Sequence, residues 1–581
     1  MGDFQIKTQP KVYDAVIVGS GAGGGMAAYT LANAGLSVAL LEAGPAYDPA
    51  KNVTQLKWPW ESPRRGASTK YRSFGDFDAA YWGWQIDGEP YTNAEGTEWD
   101  WFRARMVGGR TNHWGRISLR FGPKDFKRRS IDGLGDDWPI GYDDIKPYYD
   151  KVDKLIGVFG SMEGLDNDPD GIFLPPPKPR LHELFIKKAA QASNVRIIPS
   201  RLSMLTQKLN ADNNGRGTCF FCGQCNRGCQ VYADFSSSSV LVKPAVATGK
   251  VDLFVHAMAR EVLTDSNGLA TGVSYVDKGD LQEYQIKGRT VIVAASTCES
   301  ARLLLNSKSS RHSNGLANSS GVVGKYLHDS TGAAMGGVLP ALFGRKRYNE
   351  DGVGGMHVYS PWWLDNKKLD FPRGYHIEYW GGQGMPAYGF GWGIENSNGK
   401  YPVNGKKKEA GGYGASLKED YRYFYGASVG MAGRGEAVAR ADNFCEIDPS
   451  VVDKYGIPVL KFNVKHSSYE INQAKHMKET FKEIMHNMGA VITFGDDGPE
   501  NKYGLEAPGK IIHEAGTVRM GSDPKTSALN AWNQAHDCKN LFVVDGSAFT
   551  SQADKNITWT ILALSMRASE NIINQMKQRN I

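Results

Sequence analysis

The apolar positions of this chain follow two rhythms. Unbroken runs at Val12 to Val18, Val38 to Leu41 and Leu541 to Val544, and at the start of TVIVAASTCESARLLLNS (290–307), suit strands buried on both faces of a parallel sheet. Elsewhere apolar residues recur at three and four. Ala474, Met477, Phe481, Ile484 and Met488 form such a stripe, with a Ser467/Glu470 capping box before it and Gly489 to end it. A second helix is predicted over Ile557 to Ile573, with Ile561, Leu564 and Met566 on its apolar side. SVGMAGRGEAVARADNFCEIDPS (428–450) and PVLKFNVKHSS (458–468) read as strands, the serines 236–239 as a helix start, and PPPKPRL (175–181) as an extended connector. The stretches PWW (361–363), YHIEYW (375–380) and YGFGW (388–392) are aromatic-rich; such faces can stack on a sugar ring, but ordinary core packing explains them as well.

The first sixty residues carry more than a fold signal. VYDAVIVGSGAGGGMAAYTLANAGLSVALLEAG (12–44) reads as strand, tight turn, helix over Ala22 to Ala34, Gly35 at the C-cap, and second strand. Gly19, Gly21 and Gly24 fill a GxGxxG turn, where missing side chains let amides and the helix N-terminus approach a pyrophosphate. Glu42 closes the second strand where an acid bonds ribose hydroxyls, which argues against a 2′-phosphate and fits NAD and FAD alike. At the other end, Asp545-Gly546 follows a strand at its carboxyl end, where open parallel sheets bind ligands.

Composition narrows the class. The 581 residues allow two or three domain-sized units; 41% hydrophobic and 22% charged residues are ordinary for a globular protein, and 68 glycines predict many turns. A net charge of +6 is small, and the basic runs GRKRYNE (344–350) and GKKKEAG (405–411) read as solvated loops, so no nucleic-acid partner is expected. No apolar segment approaches the roughly 20 residues that span a bilayer. The opening residues show neither a basic n-region nor a cleavage site, so no export signal of the chain's own is expected.

GTCFFCGQCNRGCQ (217–230) holds Cys219, Cys222, Cys225 and Cys229, four of seven cysteines. Zinc sites join two ligand pairs across a longer insert, and cysteines three apart rarely reach disulfide geometry. The spacing is that of bacterial ferredoxins, with Gln230 where those have proline; an iron-sulfur cluster is the expectation, with zinc or free thiols as alternatives. Cys298, Cys445 and Cys538 are expected as buried thiols.

RMVGGRTNHWGR (105–116), TVIVAASTCESARLLLNS, HEAGTVRMG (513–521) and NLFVVDGSAFTSQADKNITWTILALSMRASENI (540–572) occur in the order and at the approximate spacing of the glucose-methanol-choline (GMC) family of flavin oxidoreductases, which the chain resembles. The resemblance implies FAD and an α/β fold: a Rossmann-like flavin domain from 1–140, 205–335 and 505–581, with an α+β substrate cap on an antiparallel sheet from 141–204 and 336–504. It implies His513 as the base that takes a hydroxyl proton and Asn556 as the amide that orients the oxygen, Asn556 also standing where it could cap the last helix. Gly108, Gly109, Asn112 and His113 would lie against the flavin beside Asp545 and Gly546. GGRTNHW further resembles the segment by which pyranose oxidases tether FAD through a histidine, with unbonded packing of His113 as the other reading.

The cysteine run narrows the resemblance to the bacterial glucose, fructose, gluconate, sorbitol and glucoside-3 dehydrogenases. It implies a [3Fe-4S] cluster on Cys219, Cys225 and Cys229, or a [4Fe-4S] cluster that adds Cys222. The implied function is a sugar or glycoside dehydrogenase, with oxidation at C3 of glucosides ahead of C1, a small partner subunit, and a cytochrome or quinone acceptor. A partner carrying the export signal would place it in the periplasm, and otherwise it stays in the cytoplasm. A plain oxidase with zinc or free thiols in the cysteine loop, and a non-catalytic electron-transfer subunit, are the alternatives.

Overall fold

A computed structural model describes residues 7–346, 352–361, 368–383 and 414–581 apart from positions 53, 70, 71, 76 and 77, together with two short strands at 402–403 and 406–407. YGFGW, most of PWW and most of both basic runs lie outside the described residues. The N-terminal unit forms as its pattern dictates, with strands Lys7–Val18 and Val38–Leu41 joined through helix Ala22–Asn33. The first strand begins earlier than its apolar run because Lys7 and Thr8 pair with Tyr284 and Gln285. Gly35, at φ +87°, turns the chain after the helix.

Seven strands make the main sheet, in the order Ala257–Thr264, Ala270–Asp277, Glu283–Val293, Lys7–Val18, Val38–Leu41 and Val251–Phe254, with Leu541–Val543 also on the third. Glu283–Val293 serves two regimes. Its first half pairs antiparallel with Ala270–Asp277, and Val291–Val293 pairs parallel with both Val16–Val18 and Leu541–Val543. The C-terminal strand is therefore placed two positions from the N-terminal one, and helix Thr558–Lys577 packs Ala568 and Ile572 into the core that holds Ala27, Ala28 and Leu31.

A second, six-stranded sheet is antiparallel throughout: Val491–Phe494, Thr331–Val338, Ser428–Gly435, Tyr375–Gly381, Val358–Ser360 and Ile198–Pro199. Helix Ser468–Met488 covers one face, capped by Ser467 and Glu470 and closed by Gly489 at φ +70°, with Met477, Phe481, Ile484 and Met485 buried against Met335, Ile377 and Met431. The chain thus has the expected two parts, a Rossmann-like unit and an antiparallel cap sheet. Phe444–Val452 instead pairs with Pro458–Asn463, which pairs in turn with Thr92–Asn93, and their Cys445, Leu460 and Phe462 join the core that also holds Val16 and Leu41.

Candidate active site

Four glycines at the first turn do different work. A Cβ on Gly19 would lie 2.3 Å from the Ala294 carbonyl oxygen, on Gly23 2.3 Å from that of Val544, and on Gly24 1.8 Å from that of Gly19. These three set how closely helix, strands and C-terminal segment approach. Gly21 has nothing within 4 Å of its would-be Cβ and faces a cavity of about 320 Å³. Here the first helical turn presents N–H groups without intrahelical acceptors, the arrangement that receives an anion.

Glu42 is buried at the cavity edge. Its Oε2 accepts from Ser20 Oγ (2.5 Å) and its Oε1 from Gly44 N (2.9 Å); burial pushes its pKa up, opposed by these donors. Ser20 Oγ also accepts from Gly108 N at 2.9 Å, which ties the RMVGGRTNHWGR segment to the glycine turn. Gly108 and Gly109 take φ of +89° and +52°. Asn112 does not line the cavity: its Nδ2 donates to the carbonyls of Val107 and Gly109 and its Oδ1 accepts from Ser238 Oγ, so it braces the turn. His113 does line it, with Nδ1 2.7 Å from Asp78 Oδ1 and its ring against Phe74.

Asp545 and Gly546 line the same cavity. The Asp545 carboxylate accepts from Ser296 N, Ser300 Oγ and Ser547 N, locking the C-terminal strand to the turn before helix Thr297–Asn306. An open glycine turn, a buried acid and backbone from three segments converge here, the kind of arrangement that can receive a dinucleotide. These residues fit FAD.

His513 and Asn556 line the same cavity, with Asn556 Nδ2 3.1 Å from His513 Nε2. Asn556 precedes the N-cap residue Ile557 and makes no capping bond; its amide contacts His513 and Glu378 instead. Donation from Nδ2 requires an unprotonated Nε2, which puts the ring proton on Nδ1, 3.1 Å from Ser330 Oγ. Gln552 Nε2 donates to that same oxygen. Burial first, then Arg434, pushes the His513 pKa down to about 3, so the ring is neutral at ordinary pH. Asp329 anchors its backbone by accepting from His513 N and Ile511 N. Arg110 Nη1 pairs with buried Glu514 Oε2 at 2.5 Å beside it.

Sequence reasoning missed Glu378, Arg434, Ser330 and Gln552. Tyr375–Gly381 alternates, burying Tyr375, Ile377 and Tyr379 in the cap core, so His376 and Glu378 take the opposite face, toward Asn556. Thus three of the YHIEYW positions are core and two belong to the site. The strand's period of two carried that signal, but nothing in the sequence said which face was which.

The four clustered cysteines occupy a turn beside this site. Cys225 and Cys229 are buried, Cys219 and Cys222 half-buried, and all seven of the chain's cysteines are free thiols. Each clustered sulfur accepts an N–H: Phe221 N to Cys219, Gln55 Nε2 to Cys222, Gly354 N to Cys225 and Ala233 N to Cys229. They are not gathered as a ligand set: among the described residues no three His, Cys, Asp or Glu side chains are placed to hold a metal ion. Among the described residues, too, no helix is long and apolar enough to cross a membrane.

Two family models, both described as GMC oxidoreductase, match residues 13–331 and 439–565. The chain is 29% identical to 2-methyl-1,2-propanediol dehydrogenase of Mycolicibacterium austroafricanum over 578 residues, 96% of this chain and 95% of that one. It is 26% identical to the fructose dehydrogenase large subunit of Gluconobacter japonicus, covering 97% and 98%. A solved structure of formate oxidase from Aspergillus oryzae, 14% identical, covers 99% of both chains at a TM-score of 0.65 and shares the fold.

Proposed function

We propose, from the premise that this chain belongs to the GMC oxidoreductase family and is an FAD-dependent enzyme acting on CH–OH groups, that it oxidises a hydroxyl of a sugar or glycoside, C3 of glucosides foremost. The observation that carries the reading is the His513–Asn556 pair, 3.1 Å apart and lining the same cavity as the open glycine turn. FAD, when bound, supplies the acceptor for the carbinol hydrogen and its electron pair. The chain's own residues do the rest. Neutral His513 takes the hydroxyl proton on Nε2, with Nδ1–H donating to Ser330 Oγ, which also accepts from Gln552 Nε2. The Asn556 amide donates to the substrate oxygen and aims the carbinol carbon. Gly109, Asp545 and Gly546 would hold the cofactor, with Gly108 tying their turn to Ser20 and His113 packing beside it without a bond.

Two relatives support the substrate and partner proposals. One is named for a 1,2-diol and one is named the large subunit of a fructose dehydrogenase, so a sugar or polyol substrate and a partner subunit are proposed here as well. The cysteine run is a further element. Its thiols suit an iron-sulfur cluster in kind, of three irons on Cys219, Cys225 and Cys229 or four with Cys222. Because they are not gathered, no step of the oxidation is assigned to it. Iron and acid-labile sulfide analysis of anaerobically purified holoenzyme decides: three or four irons per chain support the cluster and its route to a cytochrome or quinone, and iron-free protein removes both.

The oxidation itself is tested by incubating the holoenzyme with a panel of sugars and glycosides and an artificial acceptor, and identifying products. A C3 ketone from glucosides is expected; a lactone would move the reaction to C1. His513→Ala should keep FAD and lose dye reduction, and unchanged turnover would sink the assigned role.

A further inference from the structure

One carboxylate beside the reacting pair has no task in the reading above. Glu378 Oε1 lies 3.5 Å from Asn556 Nδ2 and 3.3 Å from His376 Nε2, and Oε2 lies 3.5 Å from Arg434 Nε. Those contacts sit at the outer limit of hydrogen bonding, whereas charged pairs normally close to about 2.7–2.9 Å. A carboxylate offers about four acceptor positions, so Glu378 keeps acceptor capacity. Burial pushes its pKa up, but Arg434 and His376 outweigh that and bring it down to about 2, which keeps it ionised. It is not sealed off: the Glu378 side chain is 17% and that of Arg434 23% exposed. Across the strand pair the residue opposite Glu378 is the small Ala432.

The two acceptors stand around one nitrogen. Asn556 Nδ2 is 3.1 Å from His513 Nε2 and 3.5 Å from Glu378 Oε1. A molecule with hydroxyls on neighbouring carbons can address both at once; a lone hydroxyl can address only one. The Arg434 guanidinium beside the carboxylate can donate to the oxygen whose proton Glu378 accepts.

We infer that Glu378, with Arg434, binds a second substrate hydroxyl on the carbon next to the one oxidised, making this a site for vicinal diols. The inference rests on the functional reading above and names the feature of the substrate that the site selects.

The test compares wild-type and Glu378→Gln holoenzymes on methyl glucoside and on its 2-deoxy and 4-deoxy analogues, which keep the C3 hydroxyl and lose one neighbour. Wild type should lose on the order of 10- to 100-fold in kcat/KM on one deoxy analogue. Glu378→Gln should lose that discrimination, its kcat/KM falling on the parent glucoside and on the analogue that keeps the bound hydroxyl, and not on the other. An equal fall on all three substrates would mean that Glu378 acts only through Asn556, and overturns the inference, as does a wild type that treats the three alike. Calorimetry with methyl 3-deoxyglucoside repeats the test without turnover: binding by Glu378→Gln should weaken about tenfold or more, and equal binding overturns the inference. A wild type that binds this ligand but oxidises no glycoside overturns the functional reading and leaves the inference to the binding result.

Discussion

Gly21 and Gly24 belong to one motif, yet their substitution by alanine should fail in different ways. At Gly24 the new Cβ would sit 1.8 Å from the Gly19 carbonyl oxygen, with Ala294 Cβ at 3.2 Å. Backbone rather than a flexible side chain is in the way, so helix Ala22–Asn33 must move off its strand. Overpacking of this kind costs about 3 kcal/mol. For a chain this long, with an unfolding entropy of about 2.1 cal/mol/K per residue, that lowers the apparent Tm by about 2–3 °C. At Gly21 nothing lies within 4 Å, and the residue is the helix N-cap with no side-chain bond to lose. Gly21→Ala should therefore cost the apoprotein less than about 1 kcal/mol. Its methyl stands where the anion would rest, and FAD affinity should fall by about tenfold or more, or about 1.4 kcal/mol. Thermal and denaturant unfolding of both apoproteins, with FAD titration by flavin fluorescence, measures the two effects. If Gly21→Ala destabilises the apoprotein as much as Gly24→Ala while binding FAD normally, the division of labour within the turn is wrong.

Because burial holds His513 near 3 against an ordinary value of about 6.5, the acid limb of the kcat profile should fall well below pH 6, measured by dye reduction in non-interacting buffers. The same depression links to stability: the unfolded ring binds a proton between those two values, so the contribution of His513 is full above about pH 6.5 and is lost as pH falls toward 3. His513→Asn should flatten that part of the unfolding profile. Ser467→Ala removes the cap acceptor for Tyr469 N and the Ser467–Glu470 bond, and should cost about 1 kcal/mol in denaturant unfolding without changing FAD content.

The parts of this protein that were legible in its sequence are those whose cause is local. The βαβ turn was readable because sterics at one turn demand glycine and because an apolar run, a run of small helix formers and an acid follow at fixed distances. The cap helix was readable because capping and the three-four stripe are properties of adjacent turns. The placing of His513 and Asn556 came from resemblance, since neither residue type announces a task in isolation.

What only the tertiary structure decided depends on pairing across long sequence separations. Strand Glu283–Val293 changes partners along its length, and this brings Asp545 to the turn at Ser296. The register that sets His376 opposite Arg434 and Glu378 opposite Ala432 brings an aromatic-rich strand's Glu378 beside Asn556, although its sequence reads equally well as plain core. A period of two specifies that one face is buried and leaves open what the other face meets. Gly21 and Gly24 show the same division: both are glycine in the sequence, and only the surrounding backbone determines that one keeps two elements close and the other keeps a cavity open.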